Sequence, residues 1–219
     1  MICAIVPVKA LALAKGRLSS ILTAAERRAL VLAMLGDVLA ALGAARGVDH
    51  VGVISADDTV LALALARGAE ALYDRAPGLN AALAQAAGHY ADAGALATLV
   101  LPADVPLVAP GEIEWLVAAR DGAKGGLIAP SRDGGTNALL VWPPLALPFL
   151  FGQQSLARHQ AAARVRALAL RTFHTPGLEL DVDRPDDLLL LAEAPGASAA
   201  QRLVRALNLC ERMACVGGV

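Results

Sequence analysis

Short unbroken apolar runs alternate along the chain with longer stretches whose apolar residues recur every three or four positions. Ile2–Val6 is such a run, ended by Pro7, and predicts a first strand buried on both faces. Leu30, Val31, Met34, Leu35, Val38, Leu39 and Leu42 then fall on one helical face. The segment in front, Thr23-Ala-Ala-Glu26, is a capping box, and Gly43 stands where a left-handed residue would end that helix. Further strands are predicted at 51–54, 69–73, 97–101, 126–129, 138–142 and 167–170. Further helices are predicted over 59–66, from 78–80 onward, and over 154–163, 185–191 and 198–209. Strands alternating with amphipathic helices predict an α/β chain: a three-layer, Rossmann-like, mostly parallel sheet forming one domain over 1–219. In such sheets ligands lie beyond the carboxyl ends of the strands. The polar residues just after the strands are Lys9, Ser55, Asp104, Thr136, Asp181 and Asp183, and they become the candidate site.

Composition narrows the function classes. A mean hydropathy of +0.56 raises the question of a membrane. Asp37 breaks the apolar run of the long helix, and three prolines break 139–151, so no span of about 20 apolar residues exists. Lys9 and Lys15 inside the first apolar segment argue against a signal peptide. Three cysteines (Cys3, Cys210, Cys215) without zinc-type spacing suit a reducing cytoplasm. A net charge of −1 and 3% aromatic residues leave neither a basic surface nor stacking platforms for nucleic acid. A cytoplasmic enzyme acting on small molecules is the expectation that survives.

Five stretches carry candidate chemistry. Lys9, Lys15 and Arg17 follow the first strand, and such a loop either grips phosphate or is simply solvated. No GxxxxGK[ST] pattern is present, which excludes a P-loop. Asp104, in Leu101-Pro-Ala-Asp-Val-Pro106, is either a hard-cation ligand at a strand end or a cap. Asp181 and Asp183 precede a helix opened by Pro185 and can face Asp104, whereas Asp186 and Asp187 lie in its first turn and complement its dipole. Ser131–Asn137 contains Gly134, Gly135 and Thr136 and reads as an anion loop or a hairpin turn. Gly152 and Ser155 stand at a helix start, suited to an anion, while His159, one turn in, reads as structural and is left out of the site.

Taken in order, the stretches VPVK (6–9), AKGRL (14–18), ISADD (54–58), GLNAAL (78–83), LPADVP (101–106), GGTNALL (134–140), FGQQSLARH (151–159) and DVDRPDDL (181–188) resemble one family. It is the group of 2-phospholactate, phosphoenolpyruvate and 3-phosphoglycerate guanylyltransferases that serve coenzyme F-420 biosynthesis. Ala10 and Gly16 depart from its usual proline and serine without touching a charged group.

The resemblance implies a nucleotide-diphospho-sugar-transferase (GT-A-like) fold, and GMP transfer from GTP to a three-carbon phospho-acid with release of pyrophosphate. It implies one or two Mg²⁺ held by Asp104, Asp181 and Asp183, with Lys9, Lys15 and Arg17 as the catalytic cations. Thr136, Gly152 and Ser155 would take the acceptor's carboxylate; Ser55, Gly78, Leu79 and Asn80 would meet the nucleoside, with a plain helix-entry role as the alternative for Asn80. The product would pass to a downstream phospho-acid transferase. An alanine-rich chain suggests a GC-rich bacterial genome, which favours 3-phosphoglycerate or phosphoenolpyruvate over 2-phospholactate as acceptor. Two other classes stay open: a molybdopterin or sugar-phosphate nucleotidyltransferase, and a non-catalytic nucleotide-binding module of the same fold. The helix over 198–209 has two outlets, its own domain or a homodimer contact, and packing on its own domain is the expectation.

Overall fold

The computed structural model describes residues 1–76, 78–209, 212 and 213. The strands are β1 (Ile2–Pro7), β2 (His50–Ser55), β3 (Glu70–Tyr73), β4 (Ala97–Val100), β5 (Gly125–Pro130), β6 (Thr136–Trp142) and β7 (Leu170–Thr172). The helices are α1 (Ala24–Ala44), α2 (Asp58–Ala66), α3 (Leu79–Asp92), α4 (Pro110–Ala118), α5 (Ser155–Val165), α6 (Pro176–Glu179), α7 (Pro185–Glu193) and α8 (Ala199–Arg205). All seven strands form one sheet in the order β3-β2-β1-β4-β6-β5-β7. β1 is central and parallel to both neighbours, with Val6 opposite Val53 and Ile5 opposite Val100. β6 alone runs against its neighbours β4 and β5, and β7 is again parallel to β5. The mostly parallel, three-layer expectation therefore holds.

The period of two along β1 divides the core. Ala4 and Val6 face a cluster with Leu30, Met34, Leu35 and Val38 of α1, while Cys3 and Ile5 face Leu83, Ala86 and Tyr90 of α3. Both faces are covered, which is why the strand reads as an unbroken apolar run.

Several local expectations are corrected. Gly43 does not terminate α1, which runs through it to Ala44; the left-handed glycine nearby is Gly47, at φ +89°. α4 was not predicted, because a nine-residue helix burying only Ile113 and Leu116 leaves little periodic signal. The last strand begins at Leu170 rather than 167. Ala167 is left-handed (φ 47°) and the Leu168 amide donates to Ala163 O (2.9 Å), so those residues close α5. α8 ends at Arg205, short of 209. Asp37, the charge that interrupts the apolar run of α1, accepts the Ala199 and Ala200 amides (2.8 Å each) and docks α8 on its own domain. Cys210 and Cys215 lie outside the described residues. Among the described residues no helix is long and apolar enough to cross a membrane.

The chain leaves β1 for β2 and β3 on one side of the sheet, then returns to place β4 on the other. Such a reversal opens a crevice at the carboxyl ends of β1 and β4, where neighbouring connections diverge.

Candidate active site

The loop after β1 forms one wall of that crevice. Asp57, the cap of α2, also accepts the Leu11 amide (3.0 Å), and this bond holds its carboxyl below the usual carboxylate range. So anchored, the loop puts Lys15 in a left-handed conformation (φ 53°, ψ 40°) with its side chain turned inward and 9% exposed. Its Nζ donates to Asp104 Oδ2 (2.7 Å) and Asp183 Oδ1 (2.6 Å). Burial disfavours this charge, yet Asp104 and Asp183 outweigh the penalty and raise the pKa above that of an ordinary lysine. Arg17 Nη1 approaches the other oxygen of Asp183 (3.5 Å). Lys9, Lys15 and Arg17 all line one cleft of about 600 Å³ together with Asp104 and Asp183.

The carboxylates arrive from two directions. Asp104 leaves the end of β4, and its carbonyl accepts the Val182 amide (3.0 Å), drawing the 181–183 segment alongside. Asp187 accepts the amides of Asp183 (2.9 Å) and Arg184 (2.6 Å), so it orients Asp183 as well as starting α7. Asp181, half-buried, accepts from Asn137 Nδ2 (3.2 Å) and does not line the cleft. Burial, with Asp104 nearby, pushes its pKa up to about 6.

This arrangement bears on the expected metal. Among the described residues no three carboxylate, imidazole or thiol groups stand together as a metal cage. Asp104 and Asp183 nonetheless converge on one cation, the Lys15 ammonium. A pair of carboxylates with phosphate oxygens completing the shell is the usual donor set for Mg²⁺, so the residues fit that ion.

The expected acceptor residues also meet. Ser155 Oγ lies 2.9 Å from Thr136 Oγ1, and the Ser155 amide donates to Gly152 O (3.2 Å). The Ser131–Asn137 stretch is the β5–β6 hairpin turn, tied to α5 by the Leu156 amide on Gly134 O (3.3 Å). Both hydroxyls are buried and neither lines the cleft. Gly152 (φ +118°) is exposed, and the amides of 152–154 precede α5 without a protein acceptor among the described residues.

His159, set aside in the sequence, is fully buried at this corner. Its Nε2 accepts the Leu150 amide (2.9 Å), so the neutral ring carries its proton on Nδ1, which faces Thr136 Oγ1 (3.3 Å). Burial lowers its pKa to about 4. The available signal was its spacing from Ser155: positions i and i+4 share one face of α5.

The nucleoside candidates divide. Gly78 and Leu79 line the cleft. Ser55 is buried outside it, with Oγ accepting the Asp57 amide (3.1 Å). Asn80 spends its amide on Phe151, donating to the carbonyl (3.1 Å) and accepting from the N–H (2.8 Å). It thereby ties α3 to the segment before α5. Asp74, passed over in the sequence, also lines the cleft.

The family model "Guanylyl transferase CofC like" matches residues 2–210. The chain is 47% identical over 205 residues to a protein of Roseiflexus sp. (strain RS-1) named phosphoenolpyruvate guanylyltransferase, covering 94% of this chain and 91% of the relative. It is 39% identical to the 2-phospho-L-lactate guanylyltransferase of Methanothermobacter thermautotrophicus (85% and 82% covered). It is 35% identical to the 3-phospho-D-glycerate guanylyltransferase of Colwellia psychrerythraea (86% and 90% covered). Among solved structures, a Desulfovibrio desulfuricans G20 protein described as a nucleotide-diphospho-sugar transferase superposes with a TM-score of 0.80 at 16% identity, covering 96% and 97% of the two chains. That likeness shows a shared fold. With the family model matched over residues 2–210 and relatives matched over almost the whole length, the chain belongs to the CofC-like guanylyltransferase family.

Proposed function

We propose that this protein transfers GMP from GTP to the phosphate of phosphoenolpyruvate and releases pyrophosphate. The observation that carries the reading is the convergence of Lys15, Asp104 and Asp183 in a cleft also lined by Lys9 and Arg17. A phosphate oxygen of the acceptor attacks the α-phosphorus of GTP. The bond from that phosphorus to the β-bridging oxygen breaks, pyrophosphate leaves, and a phosphoanhydride remains. The acceptor phosphate, with a second pKa near ~6, is already mostly dianionic at neutral pH, so the protein need not supply a base. Its task is to bring two polyanions into line and neutralise them. Lys9, Lys15 and Arg17 supply fixed positive charge for this, and the exposed amides of 152–154 offer donors to the acceptor's carboxylate. Asp104 and Asp183 would hold Mg²⁺, whose contribution when bound is to neutralise phosphate oxygens.

Phosphoenolpyruvate is chosen because the 47%-identical relative carries that name, against 39% and 35% for those named after the other two acids. On the same reading the product feeds a phospho-acid transferase of coenzyme F-420 assembly. The test is competition among phosphoenolpyruvate, 3-phosphoglycerate and 2-phospholactate at equal concentration, with GTP and Mg²⁺, the products resolved by mass. Phosphoenolpyruvate should dominate. Dominance of another acid overturns the acceptor, and no pyrophosphate with any of them overturns the reaction.

A further inference from the structure

The lining of the cleft divides by the elements that supply it. Lys9, Lys15, Arg17, Asp104 and Asp183 come from the segments that follow β1 and β4 and precede α7, and suit the phosphates. On the β2–β3 side the lining is Ile54, Leu79 and Ala82, and the charged side chain there is Asp74. Apolar walls suit the faces of a planar base, and a polar group among them is placed to read the base's edge.

Asp74 is held for such a task. It directly follows β3, and its amide donates to Ser55 O (2.9 Å), which fixes the backbone against β2. Its Oδ1 accepts the Ala76 amide (2.9 Å) and sets the direction of the side chain. Its Oδ2 has no partner, and no cation pairs with the carboxylate, among the described residues.

The edges of the bases differ in what they offer. Guanine places two donors side by side, N1–H and the N2 amino group, which match the two oxygens of a carboxylate. Adenine presents the N1 lone pair beside its amino group, cytosine presents the N3 lone pair, and both repel a carboxylate there. Uracil offers one N–H between two carbonyls. We infer that Asp74 is the guanine-reading residue of this cleft, accepting N1–H and N2–H. The inference rests on the reading of the protein as a GTP-dependent enzyme and names the group that makes it so.

The test exchanges complementarity. Asp74→Asn turns one acceptor into a donor, which suits xanthine, where a carbonyl replaces the N2 amino group. Pyrophosphate release and calorimetric binding are measured with GTP, ITP, XTP and ATP for the wild type and Asp74→Asn. Wild-type protein should prefer GTP to ITP, which lacks the N2 amino group, by about 10-fold or more, the loss of one hydrogen bond to a charged group. Asp74→Asn should lose at least about 100-fold in kcat/KM for GTP, and should use XTP better than the wild type does. The XTP gain also shows that the variant is folded. A variant that keeps wild-type GTP preference overturns the role of Asp74 while leaving GMP transfer intact. Should the variant fail to fold, equal wild-type affinity for GTP and ITP overturns it instead. Equal wild-type use of GTP and ATP overturns the guanylyl reading itself.

Discussion

Lys15→Met removes an ammonium that holds two carboxylates together. In the wild type Nζ lies 2.7 Å from Asp104 and 2.6 Å from Asp183, and the lysine side chain is only 9% exposed. Breaking a fully buried ion pair by deleting one partner costs about 3–5 kcal/mol, because a charge is left uncompensated. Here the carboxylates are 27% and 40% exposed, so water screens part of that loss and the expected cost falls to about 2–3 kcal/mol. For a chain of this size each kcal/mol lowers Tm by about 2–4 °C, which gives a drop of about 4–12 °C at pH 7.5 and low salt. Added Mg²⁺ should restore more Tm in Lys15→Met than in the wild type, since the cation no longer competes with the ammonium for Asp104 and Asp183. Turnover should fall about 10²–10³-fold with the loss of one preorganised cation at the reacting phosphates. Scanning calorimetry with and without Mg²⁺ and a pyrophosphate-release assay measure all of this. A variant that melts with the wild type at pH 7.5 would refute the claim that this lysine neutralises the site.

Three further outcomes are expected. Asp104→Asn keeps the fold by circular dichroism but loses nearly all turnover at any Mg²⁺ concentration; near wild-type rates would remove Asp104 from the site. Asp181 and His159 pull stability in opposite directions. The raised Asp181 pKa (about 6) makes the folded state bind more protons than the unfolded one, so stability falls as pH rises from about 4 to 6. The depressed His159 pKa (about 4) does the reverse, contributing stability above about 6.5 that is lost as pH falls toward 4. Asp181→Asn removes the opposing slope, so Tm should climb between pH 4 and 6.5 more steeply than in the wild type; an unchanged profile contradicts the assignment. His159→Phe strands the Leu150 amide and removes the imidazole contact of Thr136 Oγ1, at a cost of about 2–3 kcal/mol. It should raise KM for the phospho-acid more than KM for GTP, and equal effects on both would show a merely global loss.

Local pattern made most of the architecture legible. The buried run of β1, the Thr23–Glu26 capping box and the positions of six strands follow from periodicity and capping chemistry, which act over a few residues. The same holds for Lys15, Asp104 and Asp183: charged residues just past strand ends mark the crevice of a parallel sheet before any coordinate is known. What only the tertiary structure decided is partnership. Lys15 is 89 residues from Asp104 and 168 from Asp183, and nothing local tells an ammonium that it will lie between those two carboxylates. Asp181 and Asp183 stand two apart, yet one accepts from Asn137 and the other reaches Lys15 in the cleft. The family resemblance implies a nucleoside contact for Asn80, but its amide is taken up by the Phe151 backbone across the molecule. His159 looks like an idle helical histidine until α5 is laid against β6 and the Leu150 amide fixes its tautomer. Sequence sets which groups can be charged, capped or buried. Which of them meet is decided by the crossing of distant strands, because a hydrogen bond depends on position to within a fraction of an ångström.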